Sequence, residues 1–342
     1  LVRTETIRTL CPDIDFLYRL LPMQIAPNWS AMSIKSHLSI LMASVLISSS
    51  FVLAFLSSPA LAANNDSVCD LPGSGTVADP WEIDSEADLY EIGIGDCIST
   101  YNSAQHYELT SDIELNGAWT PIVFQSNVAA SFDGNNHTIR GFSVSGGSQT
   151  GFFSDISRAT VRNLSLEIEN VSSSSASVGG LAGSVTSSEI NNVNVYVNGD
   201  VSGSQQVGGF IGVLNNSQVY TSSVTVLGEV RGGAYSAVGI GIAENPTIDG
   251  FAVSGDGVFT NIAGGVFGQI PINGNTTINN ISYRGDVVGG QYVGGLIGYI
   301  FGYNSATVTL NNSYVKGSVA TVDNSEPGGF FGQVNTTMGG LS

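Results

Sequence analysis

The chain has 342 residues, 43 of them glycine, with 10 Lys+Arg against 28 Asp+Glu and a formal net charge of −18. Beyond Ala62 the only cationic residues are Arg140, Arg158, Arg162, Arg231, Arg284 and Lys316. Phosphate recognition needs clustered cations, so nucleic acid is excluded as a partner class, and the acidic surface reads first as a solubilising one.

Residues 1–31 begin at Leu1 and share no pattern with the rest of the chain, so they read as sequence upstream of the true start and outside the fold. Met32 opens a stretch with Lys35 and His37, then the apolar Leu38–Leu56, then small residues ending at Ala60-Leu61-Ala62. This is the layout of a cleaved export signal over 32–62. The same apolar run is long enough to be a retained membrane anchor, which is the alternative; after cleavage the mature chain keeps no span. Residues 63–102 form an N-terminal cap segment carrying Cys69 and Cys97, since Cys11 falls in the excluded stretch. An even pair in an exported chain predicts a disulfide between them, two unpaired buried thiols being the plainer option. A short helical turn is predicted around Ser85–Ile92; elsewhere no helical period is sustained.

From 103 to 342 the chain repeats itself. A six-residue phrase returns as VGGLAG at Val178–Gly183, VGGFIG at Val207–Gly212, AGGVFG at Ala263–Gly268, VGGLIG at Val293–Gly298 and PGGFFG at Pro327–Gly332. GFFSDI at Gly151 begins the series, and a weaker copy, VGIGIA, stands at Val238–Ala243. On this alignment the second-glycine position falls at 151, 180, 209, 240, 265, 295 and 329, a period that marks a repeat architecture. Five positions on stand Ile156, Val185, Leu214, Asn245, Ile270, Ile300 and Val334, an apolar column with Asn245 as its exception. A second register mark aligns Ile139, Val161, Ile190, Val219, Ile248, Ile278 and Leu310; a third runs through Gly199, Gly228, Gly255, Gly285 and Gly317.

Short β-branched runs between Gly, Asn, Asp and Ser are strand and turn signals. One such unit cannot bury its own apolar side, whereas stacked units can. The expected fold is therefore all-β: a single-stranded parallel β-helix, or β-solenoid, with coils of about 29–30 residues. It would be pectate-lyase-like, right-handed by analogy, with about eight coils at roughly 4.8 Å each. A sandwich gives no reason for the same residue at the same site in every unit, and a propeller blade needs about forty residues or more. Where the phrase decays, around Val238–Phe259, a loosened or bulged coil is expected. The chain stops at Ser342 soon after a repeat has opened, and a continuation beyond it is the expectation.

Two polar ladders emerge from the register. Asn163, Asn192, Asn280 and Asn312 share one position, with Gly141, Thr221 and Gly250 in the other coils. Stacked amides there are read as structural, satisfying a turn. Asp200, Glu229, Asp256 and Asp286 form a carboxylate ladder with Ser318 next in line. Carboxylates fanned into solvent are the plain reading; a calcium-binding strip is the functional one, because hard cations take carboxylate oxygens. No other cofactor is indicated.

Catalytic signatures are thin. His106 and His137 are far apart, and HExxH, GxSxG and Cys–His pairings are missing. Asp112, Glu114 and Asp133 with Arg140 and Arg162 are the one grouping that a polysaccharide hydrolase or lyase of β-helix type would use. Solvated acids explain them more simply, and no catalytic residue is assigned. Tyr292, Tyr299 and Tyr303 flank the phrase at 293, and Tyr235 sits in a comparable loop. Exposed tyrosines there would stack on sugar rings, scattered aromatics being the commoner case.

The GGLxG phrase together with FDGNNHTIRGFSV at Phe132–Val144 resembles the bacterial GLUG-motif repeat proteins over roughly 73–342. The run GSGTVADPWEIDSEADLYEIG and, after it, YELTSDIELNGAWTPI are similar to the segment that leads into such repeats. The resemblance implies a secreted or cell-surface β-solenoid, often adhesin-like and sometimes joined to larger exported enzymes such as peptidases. It carries over no catalytic residue. The expected role is adhesive or scaffolding, presenting a rigid face to a glycan, host or matrix surface. Two alternatives stand beside it: a non-catalytic stalk of a larger exported peptidase, and a polysaccharide-active β-helix.

Overall fold

In a computed structural model of the protein, residues 69–93, 97, 105–174, 176–302, 306–323 and 325–336 are described. The expected upstream stretch 1–31, the export signal 32–62 and Tyr303 lie outside the described residues.

The coil from Ser177 to Ser202 gives the plan. A short corner strand, Ser177–Val178, passes through Gly179 and Gly180 into the strand Ala182–Thr186. Ser187, at φ 50°, turns the chain into the strand Glu189–Val197, which bends at Asn192, at φ 54°. Gly199-Asp200 then makes a third turn into Val201–Ser202. Each strand finds its partners in the coils before and after: Ile190 stands opposite both Val161 and Val219, and Val185 opposite Leu214. The pairings between named strands are parallel, joining 21 strands in one sheet and three in each of two corner sheets. The fold is a parallel β-solenoid.

Vertical files of side chains result. Tyr107, Phe132, Val161, Ile190, Val219, Ile248, Ile278 and Leu310 stand one above another, which counts eight coils. All but Leu310 are essentially removed from solvent. Sheets covered from within by their own opposite walls read as β-branched runs, and that is why Val and Ile dominate these files. Glycine is demanded where coils touch: a Cβ on Gly180 would come within 2.7 Å of the Gly209 carbonyl and of Val195.

The register corrects three details expected from the sequence. Phe132, not Ile139, lies below Val161; Ile139 pairs with Leu166 in a neighbouring file. The weak phrase begins two residues earlier than expected, at Ser236, because Ile211 pairs with Ile240 and Leu214 with Ala243. The apolar column therefore runs Leu214, Ala243, Ile270, and Asn245 is not in it; at φ 45° it occupies the turn. This coil does not loosen, since Val238, Ile240, Ala243 and Ile248 have no exposed surface, but the expected irregularity is there: its ladder with the coil before shifts register between Ser254 and Asp256. What distorts the pattern is length. The interval is 29 residues from Ile211 to Ile240 but 27 from Ile240 to Phe267, because the ladder skips between Thr225 and Glu229. Extra residues at Asn273–Asn275 then restore the spacing.

The first coils are closed by the cap segment. Helix Glu86–Gly93 begins with a reciprocal cap: the Asp88 amide donates to Ser85 Oγ at 3.3 Å and the Ser85 amide to Asp88 Oδ2 at 3.1 Å. Its Leu89 and Ile92 are buried, and Tyr90 meets Trp119 at 5.6 Å. Trp119 stacks on Phe152 at 5.1 Å and donates its indole N–H to the Phe152 carbonyl at 2.9 Å. Cys69 and Cys97 are joined by a disulfide, and the Tyr107 hydroxyl donates to the Cys97 carbonyl at 2.5 Å. Among the described residues no helix is long and apolar enough to cross a membrane.

Leu214→Ala removes a fully buried side chain and is expected to lower the unfolding free energy by about 2–5 kcal/mol in a urea titration. Tyr196→Ala, on an outward position at 38% exposure, is expected to change it by no more than about 0.5 kcal/mol. Cys97→Ser is expected to weaken the cap by roughly 3 kcal/mol, read as faster limited proteolysis between 69 and 105.

Candidate functional site

The carboxylate ladder is in register. Val171, Val201 and Val230 stack, as do Gly257, Val287 and Val319, and each comes directly after one rung. Asn170 is therefore the first rung, below Asp200, and the shared position before a stacked valine is the signal by which sequence would have found it. The side-chain oxygens are occupied by backbone amides of the next coil. Asp200 N–H donates to Asn170 Oδ1 at 3.1 Å, Glu229 N–H to Asp200 Oδ1 at 2.9 Å, Asp286 N–H to Asp256 Oδ1 at 2.8 Å, and Ser318 N–H to Asp286 Oδ1 at 2.7 Å. The ladder is a set of turn-to-turn clasps.

Glycine precedes every rung from Asp200 onward, at Gly199, Gly228, Gly255, Gly285 and Gly317, whereas Glu169 precedes Asn170. Gly285 has φ 147°, and a Cβ there would collide with the Gly255 carbonyl. Repulsion between rungs is relieved at Arg231, which reaches Asp200 Oδ2 and Glu229 Oε2, both at 2.5 Å. The Glu229 amide, and then Arg231, hold the Asp200 carboxyl below the usual carboxylate range. The Ser318 amide and hydroxyl do the same for Asp286. Among the described residues no three His, Cys, Asp or Glu side chains converge as a metal set. Of the expected strip, Asp200, Asp256 and Asp286 each accept an amide from the next coil, and Asp200 and Glu229 meet Arg231.

The asparagine file owes its residue type to backbone shape. Asn163, Asn192, Thr221, Asn280 and Asn312 all have φ between 45° and 56°, and Gly250 has 81°. Asn and Gly tolerate this region, while β-branched Thr221 is the strained member. Asn192 Nδ2 donates to Asn163 Oδ1 at 3.0 Å, and Asn312 Nδ2 to Asn280 Oδ1 at 3.2 Å. Gly141 is not part of this file, since the chain below Asn163 is Gly134–Asn136, whose Asn136 amide donates to the Asn163 carbonyl at 2.8 Å.

The proposed catalytic grouping separates into pairs along the stack. Glu114 meets Arg140 at 2.7 Å and Asp133 meets Arg162 at 2.7 Å, each pair being register neighbours in different files. Asp112 accepts from the Thr138 amide at 2.9 Å and lies 3.2 Å from His137; these contacts, the amide first, lower its pKa. Burial opposes ionisation of Asp133, but the Asn135 amide, Arg162 and Asn163 outweigh it. His106 rests on Ser131 Oγ at 2.8 Å, its basicity lowered by burial and then by Arg162. Glu114 and Asp133 are each paired with an arginine one coil away, and Asp112 is engaged by the Thr138 amide and His137 of the next coil.

Two of the expected tyrosines do come together. Tyr292 and Tyr299 have ring centroids 5.5 Å apart at 24°, and Tyr299 lies 6.1 Å from Phe301 at 29°. Phe301 was missed in sequence, although it is two residues from Tyr299 on the same side of the strand. Tyr235 is half-buried in another coil at φ 59°. A polar cleft of about 470 Å³ lies elsewhere, over the lengthened turn, lined by Asn245, Pro246, Asn273, Asn275 and Thr276.

No family model matches the chain, and no curated protein does. A solved structure of a putative immunoglobulin A1 protease from Bacteroides ovatus is similar over 79% of this chain and 86% of its own length, at 21% identity and a TM-score of 0.49. A likeness at that level transfers no activity.

Asp200 and Asp286 have depressed folded values, so their contribution to stability is present above the unfolded carboxylate pKa and is lost as pH falls through the folded one. The melting midpoint is expected to hold from pH 7 to about 4 and to drop below that. Asp200→Asn, which keeps an acceptor for the Glu229 amide but does not titrate, is expected to drop less steeply. Calcium and a chelator are expected to give the same midpoint; a rise with calcium would identify the strip as a metal site.

Proposed function

We propose that this chain is an exported β-solenoid of the GLUG-repeat kind, displayed at or beyond the cell surface, where its outer face adheres to a glycan, host or matrix surface. The observation that carries this reading is the division of each strand between faces. Residues such as Ile190, Val195 and Val219 are buried, while their outward neighbours Asn191, Asn194, Tyr196 and Tyr220 stack in vertical files on the outside. Recognition by such a surface is repeated and extended, as adhesion requires.

The Cys69–Cys97 disulfide supports an oxidising destination, and the layout of residues 32–62 supports passage through a membrane. A second reading, a non-catalytic stalk of a larger exported enzyme, draws on the exposed apolar groups of the last described coil. Phe330 is 46% exposed there, whereas Phe210 at the matching position of an inner coil is fully buried.

Expression with the 32–62 segment intact, and then protease shaving of whole cells, is expected to release solenoid fragments from the surface or find the chain in the medium. Recovery only after lysis would overturn export. Retention of purified protein on mucin- or matrix-coated plates is expected for an adhesin, and its absence would leave the stalk reading.

A further inference from the structure

Tyr292 has no partner in its ladder. Gln291 pairs with Ile262 and Val293 with Ala263, so Tyr292 is an extra residue between them. Its φ of 46° lies in the left-handed region, which a bulky side chain enters only where its surroundings hold it there. Bulges of this kind re-aim a side chain. Here the ring is turned onto Tyr299 and remains 39% exposed.

Tyr299 and Phe301 flank the buried Ile300 on the strand Ile297–Gly302 and so face outward together. With Tyr292 they make three offset rings in near-parallel planes. Amides border them in register: Gln269 and Gln333 on either side of Tyr299, and Asn335 beside Phe301. Asn335 Nδ2 donates to the Tyr299 hydroxyl at 3.4 Å. These six residues are all uncharged, on a chain whose net charge is −18.

We propose that this platform binds a neutral polysaccharide, the rings stacking on the apolar faces of pyranose units while Gln269, Gln333 and Asn335 meet their hydroxyls. Aromatic faces with a few convergent amides suit a ligand that is apolar on its faces and rich in hydroxyls at its edge. A polyanion is disfavoured by the acidic chain, and three rings are small for a protein interface, which buries about 800 Å² on each partner. The site deepens the adhesive reading and rests on it only for access to an extracellular polymer.

Affinity electrophoresis of the full chain tests it, in native gels containing a mixed-linkage β-glucan, a xylan, a glucomannan or an α-mannan, with polygalacturonate as the acidic arm. At least one neutral polymer is expected to slow migration. Tyr292→Ala and Tyr299→Ala are expected to weaken that binding at least tenfold, while Tyr292→Phe and the distant Tyr196→Ala leave it unchanged. Because a ring-removing variant can disturb folding, the same polymer is also expected to protect Tyr292 and Tyr299 of the unaltered protein from nitration. Retardation by polygalacturonate alone, retardation untouched by the alanine variants, or silence across the neutral panel without protection would each overturn the site. The shaving experiment is indifferent to all of these, so export and glycan binding fail separately.

Discussion

The parallel ladder from each coil to the next is the constraint that the rest of this structure obeys. A backbone N–H or C=O removed from water needs a partner, and in a solenoid that partner is one full turn away in sequence. The exchange between Gly180 and Gly209, and between Gly209 and Val238, shows the pairing persisting through the corners as well as the strands. Once the main chain is fixed at that spacing, every side chain must lie above its equivalent. Files of valine and isoleucine fill the interior for that reason, and glycine is forced where a Cβ would strike the coil above.

The polar ladders answer the same requirement at the turns, where strand pairing is interrupted. Side-chain oxygens of Asn170, Asp200, Asp256 and Asp286 take amides from the coil above. Buried serines do similar work: Ser188 Oγ accepts the Ala159 amide at 3.1 Å, and Ser217 Oγ accepts the Ser188 amide at 3.0 Å. Three carboxylates of the acidic ladder, Asp200, Asp256 and Asp286, are thus committed to holding turns together.

Much of the fold was legible because its periodicity is carried by residues that nothing else replaces. A glycine pressed against a carbonyl and a buried β-branched residue both leave marks at every turn of the stack. The errors arose where a substitution is physically tolerated. Val238 stands where other coils have glycine, and Ala243 where they have larger apolar groups, so the phrase looked shifted by two residues. Ile139 imitated Val161 by local pattern, although Phe132 is the residue in register. The candidate site was harder to read. Tyr292 and Tyr299 were visible as aromatics, but their stacking depends on a bulge that leaves no sequence signal beyond one surplus residue.

The shortened step between Ile240 and Phe267 and the surplus at Asn273–Asn275 lie in successive coils, yet Ile248, Ile278 and Leu310 remain aligned. The stack thus measures distance between corners, and it discharges a miscount at the nearest bend without passing it onward. Loop closure grows in cost only slowly with length, so such bends are inexpensive places to hold a difference. A gene for this protein is free to slip by a codon or two at those points, and its outer bends can diversify while the interior lattice stays the same.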